Sequence, residues 1–291
     1  MTTLMDELLE VLTLEKLEED LYRGQSRNFV GKRVFGGQVL GQALRAAAHT
    51  TDRPAHSLHA YFLHGGDIDA PIVYQVDRLR DGKSFVSRQV RAIQHGKLIF
   101  TALVSFAPLE EGLNYQVDMP EYTKAEDLKN EQELKKIIAP FLPEKVRTNF
   151  MRERHVEFRP INPTNPFMPQ PEAPARAHWM RAAGVETQDL PDDPALHQAL
   201  IAFASDYALM GTGLMPHGIS FMTPNLQAAS LDHSIYFHRP VKADEWLLYD
   251  MDATITSNAR GLNFGRMWQN GELVVTTAQE GLMRLRETEE R

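Results

Sequence analysis

Cysteine is absent from this chain, and so is any apolar run near the roughly 18 residues that cross a bilayer as a helix. The first absence excludes disulfides, thiolate nucleophiles and cysteine-ligated zinc or iron–sulfur sites, and it fits a reducing compartment. The second leads us to expect a soluble protein. Positive charge is also in short supply: 31 Lys and Arg against 39 Asp and Glu leave a formal charge of −8. That balance argues against nucleic acid or an anionic membrane as a partner, so a polyanionic ligand would need a local basic patch. No G-x-S-x-G elbow, H-E-x-x-H helix or Walker A loop occurs, which closes the serine-hydrolase route and the common metal and nucleotide routes. The acidic N-terminus, "MTTLMDELLEVLTLEKLEEDLYRG", has helical spacing and no secretion-signal pattern, and is expected to stay on the mature protein.

What is present is enough apolar sequence for two cores, 43% hydrophobic over 291 residues, and an internal repeat. "SLHAYFLHGGDIDAPIVYQV" (57–76) lies over "LDHSIYFHRPVKADEWLLYD" (231–250) at an offset of 174, matching His59 with His233 and His64 with His238. "QHGKLIFTALVSF" (94–106) lies over "QNGELVVTTAQEG" (269–281) at 175, one residue out of step. In each half, alternating segments (57–64, 71–80, 84–94 and 97–107; 231–238, 245–256, 259–269 and 272–286) are joined by turn pairs such as His95-Gly96 and Asn270-Gly271. Such alternation between turn pairs predicts an antiparallel meander. One helical segment precedes each meander, 36–50 and 193–211. Residues 109–150 turn charged and read as a linker with a surface helix. Beyond them, 155–163 and 175–184 read as strands separated by a proline-rich loop.

The architecture is therefore α+β, with two tandem units each wrapping a curved antiparallel sheet around a central helix. That arrangement resembles a double hotdog. The wording goes further: "VFGGQVLGQAL" (34–44), "LRDGKSF" (79–85), "ASD" (204–206), "PHGI" (216–219), "LDHSIYFHRP" (231–240), "EWLLY" (245–249), "ARG" (259–261) and "QEGLMR" (279–284) resemble the acyl-CoA thioesterase II family, in family order. The resemblance implies an N-terminal hotdog over 1–108, a linker over 109–150 and a C-terminal hotdog over 151–291. It implies hydrolysis of fatty acyl-CoA to free fatty acid and CoA without metal or organic cofactor, and a homodimer or homotetramer. The ending "RETEER" lacks the Ser-Lys-Leu peroxisomal address, so the cytoplasm is the expected location.

By the same resemblance a water is held by Asp206, Ser230 and Gln279. The repeat tests these positions from within the chain. Gln279 interrupts an apolar row of Leu273, Val275, Thr277, Gly281 and Met283, where the first half carries Val104. A buried amide without partners costs about 1–3 kcal/mol, so Gln279 should have company that Val104 does not need. Ser230 falls opposite His56, and Asp206 opposite Arg45, so all three polar groups belong to the second half and the first half becomes scaffold or substrate wall. Asp206 suits a general base or, by a second route, a nucleophile forming a mixed anhydride. Backbone N–H groups near a helix start would serve the oxyanion.

Other features are discounted. Asp232 and His233 are adjacent on a strand and so point apart. His59 with His64, and His233 with His238, are spaced i, i+5 and offer no metal geometry. The glycines of "FGGQ" allow close packing or a role near pantetheine. Arg239, Lys242, Arg260 and Arg266 are phosphate contacts by charge only. A non-catalytic acyl-CoA-binding or sensor protein is the alternative; a hotdog hydratase is a lesser one, because Phe237 stands where its histidine would follow Asp232.

Overall fold

The computed structural model describes residues 2–286, so the last five residues of "RETEER" lie outside the described residues. Thr3 and Asp6 form a reciprocal capping box, Asp6 N–H donating to Thr3 Oγ1 (3.0 Å) and Thr3 N–H to Asp6 Oδ2 (2.9 Å). It starts helix α1 (Leu4–Leu12), which buries Met5, Leu8, Val11 and Leu12. Helical spacing does not carry beyond it: the chain turns through Asp20 (φ 58°) in a hairpin of β1 (Glu15–Glu18) and β2 (Leu21–Gly24).

The first unit continues with helix α2 (Gly36–Ala48) and strands β3 (Ala55–Phe62), β4 (Ile72–Asp81), β5 (Val86–Gln94) and β6 (Lys97–Phe106). The second unit has β7 (Val156–Pro160), β8 (Ala175–Ala182), β9 (Leu226–Ser230), β10 (Asp232–Phe237), β11 (Leu247–Ser257), β12 (Arg260–Gln269) and β13 (Glu272–Leu285). Its helix is α5 (Pro194–Ser205), preceded in the linker by the short α3 (Glu131–Ile138) and α4 (Glu144–Phe150). Positive φ at His95, Gly96, Asn270 and Gly271 gives the two-residue turns that return β5 into β6 and β12 into β13. The linker is more than a surface helix. Its stretch before α3 straps the outer face of the second unit's strands, with Gln116 Nε2 donating to Gly271 O (2.9 Å) and Tyr122 Oη to Asp250 Oδ1 (3.0 Å).

All strands join one antiparallel sheet in the order β1-β2-β4-β5-β6-β3-β10-β13-β12-β11-β8-β7, with β9 beside β13. The two units therefore meet edge to edge where β3 pairs with β10, and helix to helix beneath. Gly37 and Gly41 allow the helices this approach: a Cβ on Gly37 would strike the carbonyl oxygen of Phe203, and one on Gly41 would lie 2.9 Å from that of Ala199.

The pairing corrects the repeat. Leu58 and His233 are both fully buried, whereas Tyr61 and Tyr236 are exposed. His59 pairs with Ser234, not with a histidine. An offset of 175 therefore holds throughout. Matching the histidines by identity slips the register by one residue, which exchanges the faces of a strand.

Candidate active site

Leu231 N–H donates to Glu280 O (3.0 Å), and Glu280 N–H donates to Asp232 Oδ1 (2.7 Å), so two residues of one strand oppose Glu280. Registers on either side differ by one, Ser230 with Gly281 and Ser234 with Ala278. This is a β-bulge, and such bulges re-aim side chains. It brings Ser230 to the inner face with Gln279. The first half carries the same irregularity at Ala55–Ser57, so the counterpart of Ser230 is Ala55, not His56. When α2 and α5 are aligned from their caps, Phe35 and Asp193, Ala48 rather than Arg45 becomes the counterpart of Asp206.

Asp206 closes the C-terminus of α5. Gln279 Nε2 donates to Asp206 Oδ1 at 2.6 Å and to Ser230 Oγ at 3.1 Å, and Ser230 Oγ donates to the same Oδ1 at 3.3 Å. All three residues singled out from the sequence thus lie in one hydrogen-bonded cluster. Gln279 is fully buried, with Oε1 unpartnered among the described residues. Asp206 keeps some exposed surface, but burial of its carboxylate raises its pKa. The Gln279, Ser230 and Gly37 N–H hydrogen bonds oppose that shift only in part. No cation pairs with Asp206 among the described residues.

Its second oxygen faces the first unit. A Cβ on Gly36 would lie 2.6 Å from Asp206 Oδ2 and 3.1 Å from the Phe62 ring. Gly36 and Gly37 open α2, where N–H groups have no partner within the helix. The first half is therefore more than scaffold: it supplies a helix start and an aromatic wall. "FGGQ" was the signal in the sequence, but nothing local to it points to Asp206.

Behind Asp206, His233 is fully buried and its pKa is lowered by burial to about 3, so it is neutral. Ser205 Oγ donates to Ala202 O (2.9 Å), which leaves it to accept from His233 Nε2 at 2.9 Å. Tyr249 Oη donates to Ser205 O (3.1 Å). The last turn of α5 is held from two strands. Asn263 likewise ties the glycine-rich turns after α5 to β13, accepting from Gly213 N–H (2.9 Å) and donating to Gln279 O (3.2 Å). The sequence discounted His233 as a ligand or acid and gave no signal for Asn263, because their partners are remote in the chain.

Asp232 and His233 point apart, as expected. The four candidate phosphate contacts each have a carboxylate within 4 Å: Glu272 for Arg239 (3.3 Å), Asp192 for Lys242 (3.2 Å), Glu280 for Arg260 (2.8 Å) and Asp252 for Arg266 (3.7 Å). Among the described residues no group of His, Asp and Glu has the geometry to hold a metal, and no helix is long and apolar enough to cross a membrane.

Residues 145–282 match the family model for acyl-CoA thioesterase, and residues 25–107 match the model for the acyl-CoA thioesterase N-terminal domain. The mouse protein acyl-coenzyme A thioesterase 8 is 40% identical over 289 residues, covering 95% of this chain and 88% of that one. The chain belongs to the acyl-CoA thioesterase family. Acyl-CoA thioesterase 2 of Haemophilus influenzae is 37% identical over 290 residues, covering 99% of this chain and all of its own length. Among solved structures, the acyl-CoA thioesterase II TesB2 of Mycobacterium marinum superposes with a TM-score of 0.76 at 37% identity, covering 96% of this chain and 98% of that one. This thioesterase thus has the double hotdog fold expected from its sequence.

Proposed function

We propose that this acyl-CoA thioesterase cleaves fatty acyl-CoA with Asp206 as general base toward a water, Ser230 and Gln279 orienting the carboxylate and the water. The observation that carries the reading is the division of labour at Asp206: Oδ1 takes the donors of Gln279 and Ser230, and Oδ2 faces the opening of α2. Oδ2 is then the atom that accepts the proton. As the water oxygen bonds to the thioester carbon, its proton passes to Oδ2, and the carbonyl oxygen gains charge. The Gly36 N–H, without a helical partner at the positive end of α2, stabilises that charge, while the neighbouring Gly37 N–H holds the Asp206 carboxylate. Breaking the C–S bond releases the CoA thiolate, which recovers the proton from Asp206. The raised pKa of Asp206 makes it a better base than an ordinary carboxylate. The scheme uses neither metal nor organic cofactor, since base and oxyanion donors both come from the chain.

The proposal extends to the division at 1–108, 109–150 and 151–291, to the cytoplasm as location, and to a homodimer or homotetramer with neither nucleic acid nor membrane as partner. The exposed outer strip of Tyr61, Leu103 and Tyr236 across the β3–β10 seam supports self-association. Thiol release from acyl-CoAs of graded chain length, with Asp206→Asn beside the wild type, tests the chemistry. Absence of thiol release from every substrate would favour a binding or sensor role, and full activity in Asp206→Asn would remove Asp206 from the mechanism.

A further inference from the structure

One rung beyond Gln279 the two halves differ in volume. Gly281 pairs with Ser230 on one side and Gly261 on the other, a row of small residues across β9, β13 and β12. Its counterpart at the constant offset is Phe106, a fully buried ring that fills the same place in the first half. In the second half the space is filled by the unbranched side chains of Met210, from the segment after α5, and Met283, from β13 itself. Met210 Sδ lies where a Cβ on Gly281 would be, and the Met283 methyl lies 2.6 Å from a Cβ on Gly261 and 2.9 Å from one on Gly213. Gln279, Gly281 and Met283 follow one another on the inner face of β13.

The surroundings differ in polarity on the two sides of Asp206. Toward Gly36 the chain exposes Lys32 and Arg33, neither within 4 Å of a carboxylate among the described residues; Arg33 Cδ lies 2.8 Å from a Cβ on Gly65, and the nearby Asp67 is engaged with His95 at 2.9 Å. Toward Met210 the chain exposes Phe221, whose ring covers Gly211, and Met222, both 49% exposed, with the part-buried Arg176 behind Gly211 and His217 further along the same segment. The phosphates of CoA belong on the basic side and the hydrocarbon on the methionine side.

We infer that the acyl chain runs from Asp206 along the inner face of β13, over Gly281 toward Met283, and that Met210 determines the acyl length accepted. This rests on the thioesterase reading above. Methionine suits the role, because an unbranched thioether can repack around chains of different length.

The test is kcat/KM for acetyl-, hexanoyl-, decanoyl- and palmitoyl-CoA with wild type, Met210→Ala, Met210→Trp and Met283→Ala, each checked for an intact melting transition. Met210→Ala should raise the long-to-short ratio roughly four- to tenfold for each methylene it admits. Met210→Trp should lower the same ratio, and Met283→Ala should favour only the longest chains. A uniform fall across all substrates, or profiles parallel to wild type, overturns the inference and leaves the thioesterase reading standing. A wild type that cleaves none of the substrates sinks that reading instead.

Discussion

The two hotdog units carry contrasting side chains at four matched positions. Where the second carries Asp206, Ser230 and Gln279, the first carries Ala48, Ala55 and Val104, and where the second has Gly281 the first has Phe106. Both Val104 and Gln279 are buried, so the difference lies in partners and not in exposure. The helix ends differ likewise. At one end of the pair, Asp206 faces Gly36 without a cation. At the other, Asp193 caps α5 and meets Arg45 at 2.7 Å. Burial raises the pKa of Asp193, yet the Arg45 hydrogen bond and charge, with two backbone N–H groups, bring it below the usual carboxylate range. One end is closed by an ion pair and the other carries a carboxylate with no cation partner among the described residues.

The strongest way to break the comparison is Asp206→Asn, which should lower kcat by about 10²–10⁴ in a thiol-release assay. The acid limb of the wild-type profile should lie above the ordinary Asp range of about 4. Stability moves the other way. A carboxylate whose folded pKa is raised binds its proton more tightly in the folded state, so its charged form destabilises the fold above that pKa. That penalty is relieved as pH falls from the raised folded pKa toward the unfolded value. Asp206→Asn should therefore melt at or above wild type at neutral pH, and the gap should close on acidification.

Gln279→Val copies the first half into the second. It should cost about 10² in kcat, the scale of one lost site hydrogen bond, with the melting transition retained because Val104 is tolerated in the same setting. The reverse exchange, Val104→Gln, buries an amide with no Asp or Ser to receive it. Denaturant unfolding should show a loss of about 1–3 kcal/mol. Asp193→Ala should cost least, about 1 kcal/mol by loss of an N-cap, with thiol release unaffected. A large fall in activity there would mean that the closed end also serves the reaction.

Much of this was legible in the sequence because it is local. Alternation and the His95-Gly96 and Asn270-Gly271 turns marked the meanders within a few residues of their observed ends, and the misfit of Gln279 against Val104 pointed to a polar cluster on one strand. Apolar spacing over 193–211 predicts a helix longer than the one that forms. The spacing continues, but α5 stops at Ser205 and Ala208 adopts φ 66°, so the chain leaves helical geometry beside Asp206. Histidine identity predicts an offset of 174 for the repeat, although His59 and His233 sit on opposite faces and the offset is 175.

The sequence by itself determined two α+β units of equivalent backbone, only the second carrying polar groups at the key positions. Periodicity, turn chemistry and repeat identity depend on neighbours in the chain. Tertiary structure decided what those groups face. The bulge at Leu231–Asp232 turns Ser230 inward, and antiparallel packing of α2 on α5 brings Gly36 of one unit to Asp206 of the other. Both depend on strand register and helix approach between segments far apart in sequence, which no local pattern encodes.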